Sequence, residues 1–253
     1  MWLRAVWKNY RRWQGVLLIA VALIVTVWLA ATNQLILYIH PRYVVFTVIM
    51  AVLGLVLVVA SFVDRPDHDH DEKPSGWRIT LSTATAVLTL AMAIGLVVVP
   101  PATLTTATAN QRVINSTGVG ASSKTISSVT SAAAGASVKF TVLDWSSLLR
   151  QTSDSSFYAG KAADVTGFIA EDKDDPDNIF YVSRFVITCC AVDAQPVGVP
   201  VYYPNWKSEF KSDGWVRVTG GFATNPSRQS QQAIALVPEK VVKVSQPSEP
   251  YLY

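Results

Sequence analysis

Apolar positions are concentrated at one end of the chain. Residues 15–32, 43–63 and 79–100 form three long apolar runs without a single charged side chain. Each is close to the roughly 20 residues a helix needs to cross hydrocarbon. Backbone groups cannot stay unpaired in lipid, so the pattern predicts three transmembrane helices in a membrane domain at 1–101. No clean cleavage box closes the first run, which reads as a retained span. From 102 to 138 the chain is dominated by Thr, Ser, Ala and Gly with neither apolar period. That stretch predicts a flexible linker. Beyond it, Asp144 reads as the cap of a short helix carrying Trp145, Leu148 and Leu149. Five strand candidates follow at 161–170, 179–189, 198–203, 214–222 and 233–244, separated by turn residues. Pro238 inside the last suggests an edge or a bulge.

The fold class expected is therefore an α+β membrane protein, with N-terminal transmembrane helices followed by a small OB-like five-stranded β-barrel domain at 139–248. A small antiparallel sandwich is the second choice.

Charge adds an orientation. Residues 1–100 hold eight Lys or Arg and five Asp or Glu, whereas 101–253 hold thirteen of each. The net charge of +3 thus comes from the first hundred residues. Basic residues crowd the N-terminal tail (Arg4, Lys8, Arg11, Arg12) and the second link (Arg65, Lys73, Arg78), while the first link has only Arg42. Basic flanks stay inside, so the N-terminus is expected to be cytoplasmic and the C-terminal domain extracytoplasmic in a multi-pass protein of a cell membrane. The neutral outer domain argues against nucleic acid, whose phosphates demand a basic excess. The spans lack any Asp, Glu, Lys, Arg or His, which suits an anchor or a subunit more than a lone transporter.

Two places carry candidate chemistry. His68 and His70 alternate with acidic residues in the second link. The segment reads either as a solvated polar loop or as a transient metal site. Cys189 and Cys190 are the only cysteines. In a strand they would point to opposite faces. If a turn brings both sulfurs together, they could grip a soft metal with Asp193 beside them. A structural role, thiol chemistry or a disulfide remain the other readings. No histidine follows residue 70, which removes the commonest Cys–His nucleophilic pair. Asp164, Asp193 and Asp213 cannot be paired into an acid–base site from spacing alone. The chain reads as non-enzymatic, with no resident cofactor.

Three segments carry a resemblance: 157–168 (Phe-Tyr-Ala-Gly-Lys through Val-Thr-Gly-Phe), 184–194 (Arg-Phe-Val-Ile-Thr-Cys-Cys-Ala-Val-Asp-Ala) and 214–220 (Gly-Trp-Val-Arg-Val-Thr-Gly). The chain resembles the YcgQ-like family of bacterial membrane proteins, described as permease subunits. The resemblance implies a partner, a larger multi-span permease in the same membrane, for a metal or metalloid solute. It also marks Tyr158, Gly160, Gly167, Arg184, Trp215 and Gly220 as signature residues beside Cys189, Cys190 and Asp193. The function expected is an accessory permease subunit. A stand-alone metal-binding or thiol-active membrane protein and a membrane-anchored envelope interaction module are the alternatives, with self-association open.

Overall fold

The computed structural model describes residues 2–63, 84–85, 87–88, 91–92, 94–95, 103–116, 124–130 and 136–253. The chain divides into two compact units, Met1–Ala102 and Thr103–Tyr253.

In the first unit, helix α1 (Trp2–Ala31) turns through Asn33 in a left-handed conformation (φ 55°) and a short 3-10 turn at Leu35–Leu37. Helix α2 (Pro41–Val63) follows, opened by a proline whose missing N–H costs nothing at that position. The two helices pack closely at Gly54, where a Cβ would stand 2.9 Å from Leu23 Cδ1. Small residues allow this approach.

The expected three spans and multi-pass localisation need correction here. Among the described residues one helix, Pro41–Ser61, is long and apolar enough to cross a membrane. Among the described residues the apolar stretch of α1, Leu18–Ala31, is shorter than that. The third run, 79–100, lies largely outside the described residues, as do His68 and His70.

The second unit contains helices α3 (Thr106–Asn110), α4 (Ile126–Thr130), α5 (Val142–Gln151) and α6 (Ser155–Tyr158). Six strands follow: β1 (Ala162–Glu171), β2 (Ile179–Val186), β3 (Gln195–Tyr202), β4 (Trp215–Thr224), β5 (Ile234–Lys243) and β6 (Tyr251–Leu252). They form one six-stranded sheet in the order β1-β4-β5-β3-β2-β6, and β1 also pairs with β2. The β3–β5 and β2–β6 pairings are parallel and the others antiparallel.

This mixed sheet replaces the expected five-stranded OB-like barrel, and equally the antiparallel sandwich. The C-terminal pair Tyr251-Leu252 adds a sixth strand that strand spacing did not reveal. Two residues are too few to show a period, and pairing partners are a tertiary property.

Helix α5 begins with a reciprocal capping box. Asp144 N–H donates to Thr141 Oγ1 (3.2 Å), and Thr141 N–H donates to Asp144 Oδ2 (2.9 Å). Thr141, not Asp144, is the cap. Trp145 and Leu148 on this helix are fully buried against sheet residues that include Phe222 and Val199. Strand β2 is buried on both faces: Phe180 and Val182 face the main core, while Ile179, Tyr181 and Ser183 are also inaccessible. Its apolar run, interrupted only by Ser183 and Arg184, reflects that.

Where β4 pairs with β5 the register shifts beside Gly220, leaving Glu239 as an extra residue next to Pro238. The suspected bulge at Pro238 is therefore present, and it places a residue that cannot donate to the ladder at an irregularity.

Candidate functional site

The two cysteines lie in the loop that joins β2 to β3. Strand β2 ends at Val186, earlier than the sequence suggests. Ile187 N–H still reaches Leu252 O (3.0 Å), and the chain then leaves the sheet. The expectation that adjacent cysteines project to opposite faces of a strand therefore fails: neither is in one. Cys189 is exposed, Cys190 is half-buried, both are free thiols, and their Sγ atoms lie 3.7 Å apart.

Asp193 organises this loop. Its carboxylate accepts the N–H of Thr188 (3.2 Å) and of Cys189 (2.8 Å). Its own N–H donates to Cys190 O (3.0 Å), closing a 3-10 turn at Ala191–Asp193. Arg112 braces the outside by donating to Val192 O (2.9 Å).

Burial pushes the Asp193 carboxyl up. Hydrogen bonds from the Cys189 thiol and from the N–H groups of Cys189, Thr188 and Cys190 outweigh it and hold the group below its usual range. The Cys189 thiol is pushed up to about 11, first by its hydrogen bond to Asp193 and then by that to Cys190. At neutral pH this sulfur is protonated and a slow nucleophile.

A consequence is measurable. The rate of Cys189 alkylation by iodoacetamide, in a Cys190→Ser background, is expected to keep rising toward about pH 11. Asp193→Asn removes the charge that opposes the thiolate. The profile is then expected to fall toward the ordinary thiol range of about 8.5, and alkylation at pH 8 to accelerate roughly tenfold or more. Superimposable pH profiles for the two proteins would contradict this account of Asp193.

Among the described residues no group of three or more His, Cys, Asp or Glu side chains is arranged to hold a metal ion. Cys189, Cys190 and Asp193 do come together, yet both Asp193 oxygens are occupied by backbone donors. The other two aspartates considered for acid–base work are also engaged. Asp164 binds Arg217 Nε at 2.7 Å, and Asp213 accepts the N–H and hydroxyl of Thr106.

The remaining signature residues serve the fold. Tyr158 is fully buried, donates to Thr152 O (2.9 Å) and packs on Phe222; burial raises its phenol. Gly160 is left-handed at φ 71°, which glycine adopts without penalty. Gly167 and Gly220 are points of backbone contact between strands.

Arg184 fastens the C-terminus. Its guanidinium lies over the ring of Trp215 and donates to the carbonyls of Pro250 (3.1 Å), Glu249 and Tyr251. Arg184→Ala is expected to cost about 2 kcal/mol and to release β6. Faster hydrogen exchange at Ile187 and Tyr251 than in the parent protein would register it. Unchanged exchange there would show that β6 holds without the arginine.

Sequence reading missed a set of residues in the segment taken for a linker. Asn115, left-handed at φ 63°, exchanges two hydrogen bonds of 2.9 Å with the backbone of Gly198 and donates its N–H to Pro196 O. Leu104 N–H donates to the Tyr251 hydroxyl (2.9 Å). The available signal was Asn115 itself, since asparagine tolerates the left-handed region and mimics a backbone pair.

The DUF1980 C-terminal domain profile matches residues 122–253, and the DUF1980 N-terminal domain profile matches residues 14–115. The chain therefore belongs to the DUF1980 family. No curated protein matches it.

Proposed function

We propose that this chain is a non-enzymatic accessory subunit of a larger membrane permease, one that carries a metal or metalloid solute, and that it joins that partner through α2. The observation that carries the reading is the surface of this helix. Over Pro41–Ser61 Ala51 alone is buried within the chain, and Val45, Phe46, Leu57 and Val59 stand exposed. From residue 43 on the helix carries no charge, and apolar surface of this extent requires lipid, a packing partner or both. The segment resemblances at 157–168, 184–194 and 214–220 support a permease partner in particular.

Affinity purification of the full chain in mild detergent, with quantitative mass spectrometry, tests the proposal. A multi-span membrane protein is expected at near-equal stoichiometry. Leu57→Arg, which puts a charge costing about 2.5–3.5 kcal/mol at a helix centre in lipid, is expected to abolish it. A chain that purifies alone, or a partner that survives Leu57→Arg unchanged, would refute the proposal.

A thiol-active protein is the second reading, favoured by the 3.7 Å separation of the two sulfurs.

A further inference from the structure

We infer that Cys189 and Cys190 form a two-sulfur chelating site for a thiophilic trivalent centre, the chemistry of a trivalent arsenical. Three observations converge on it.

The first is distance. The sulfurs are 3.7 Å apart with no bond between them. Two sulfurs each about 2.3 Å from one pyramidal trivalent centre, bonded at close to a right angle, lie roughly 3.4 Å from each other. The pair stands close to the bite that such a centre requires and has only to contract slightly, so little reorganisation opposes binding.

The second is support. The loop is held by Asp193 through Thr188 and Cys189, by the Asp193 N–H on Cys190 O, and by Arg112 on Val192 O. Both cysteines are thus fixed by backbone contacts that do not use the sulfurs. Cys189 is exposed, which gives a ligand its approach.

The third is the donor set. The Asp193 oxygens are taken up by backbone N–H groups and by the Cys189 thiol proton, which leaves the two sulfurs as the loop's donors to a centre that displaces their protons. That suits a centre which needs two protein sulfurs and brings its third substituent with it. A metal ion would want further protein ligands.

The step balances without redox change. An arsenoso compound, R–As=O, meets two thiols. Two As–S bonds form, the arsenic–oxygen bond is lost, and both thiol protons leave with that oxygen as one water. Protonated thiols of low single-site reactivity are compatible with this, because each proton departs only as its bond forms. A disulfide would instead need an oxidant.

The inference does not depend on a permease partner, and the two tests fail separately. Full-length protein in mild detergent, reduced with a phosphine and freed of it, is titrated with phenylarsine oxide. Free thiols are counted and the intact mass is measured. One equivalent is expected to remove both thiols together and to add the mass of phenylarsine oxide less one water. Excess dimercaptopropanol is expected to reverse it, and an equal excess of a monothiol is not. Cys189→Ser and Cys190→Ser should each weaken binding roughly 100-fold or more, the loss that follows when the second bond is no longer intramolecular.

Three results would overturn the inference: uptake of two equivalents by independent thiols, affinity no better than that of a single-cysteine variant, or loss of both thiols without added arsenic. The wild-type stoichiometry decides the matter even where a serine variant fails to fold.

Discussion

Trp145→Ala is expected to lower the stability of the C-terminal unit by about 3–5 kcal/mol. Trp145 is wholly inaccessible and lies between Phe140 and Phe222, with ring centroids 5.2 and 4.5 Å away. Truncation removes one of the two tryptophans of the core and two aromatic contacts, each worth about 0.5–1.5 kcal/mol beyond area. The capped helix around it limits collapse into the cavity.

Among the described residues the Trp145 indole N–H has no hydrogen-bond partner. Trp145→Phe deletes that buried donor, so it should cost much less than alanine. Thermal melts of the detergent-solubilised chain followed by far-ultraviolet circular dichroism check the pair. The alanine variant should melt roughly 10 °C lower and the phenylalanine variant much nearer the parent. Equal melting of parent and alanine variant would mean that α5 is not part of the stable core.

The second large effect is expected at Gly167. A Cβ there would lie 2.4 Å from Ser183 O and 3.0 Å from both Ser183 C and N. These are backbone atoms of β2, which is paired with β1 on one side and β3 on the other. No flexible side chain can give way, so Gly167→Ala is expected to cost about 3 kcal/mol or more, at the upper end of overpacking losses.

Gly221 is the matched control in the same sheet. Nothing lies within 4 Å of a Cβ there, and its φ is not in the left-handed region. Gly221→Ala should be neutral or stabilise by about 0.4–1 kcal/mol through the unfolded chain. Urea titration of the two variants separates them. If Gly167→Ala proves as stable as Gly221→Ala, the close approach of β1 to β2 is wrong. The same experiment gives the signature glycine a physical meaning: it marks a strand contact, not a ligand.

Much of the local structure was legible. The strand candidates fall within a few residues of β1 to β5, because alternation of apolar residues reports which side of a ladder is buried. Asp144 was rightly placed at a helix start but in the wrong role, since a capping box needs its threonine partner three residues before. Legibility failed where the signal was short or shared between distant segments. Tyr251-Leu252 has no period, and its place depends on Arg184 some 65 residues earlier. The segment around Asn115 looks polar and aperiodic, yet its amide completes an edge of β3.

The cysteine site shows the same division. By sequence alone, the chain has two adjacent thiols, an aspartate three residues on, no histidine nearby, and an uncharged apolar stretch at 43–63. Those features fix which chemistry is available, because composition and spacing along a chain are covalent facts. Whether the sulfurs meet was decided by where β2 stops and by a carboxylate gathering backbone N–H groups. Which strands pair, and that a sixth one joins them, was likewise decided by contacts far apart in sequence. Local propensity is blind to such partners. Only the packed sheet, which must satisfy its backbone groups and exclude water from its aromatic core, selects among the arrangements the sequence leaves open.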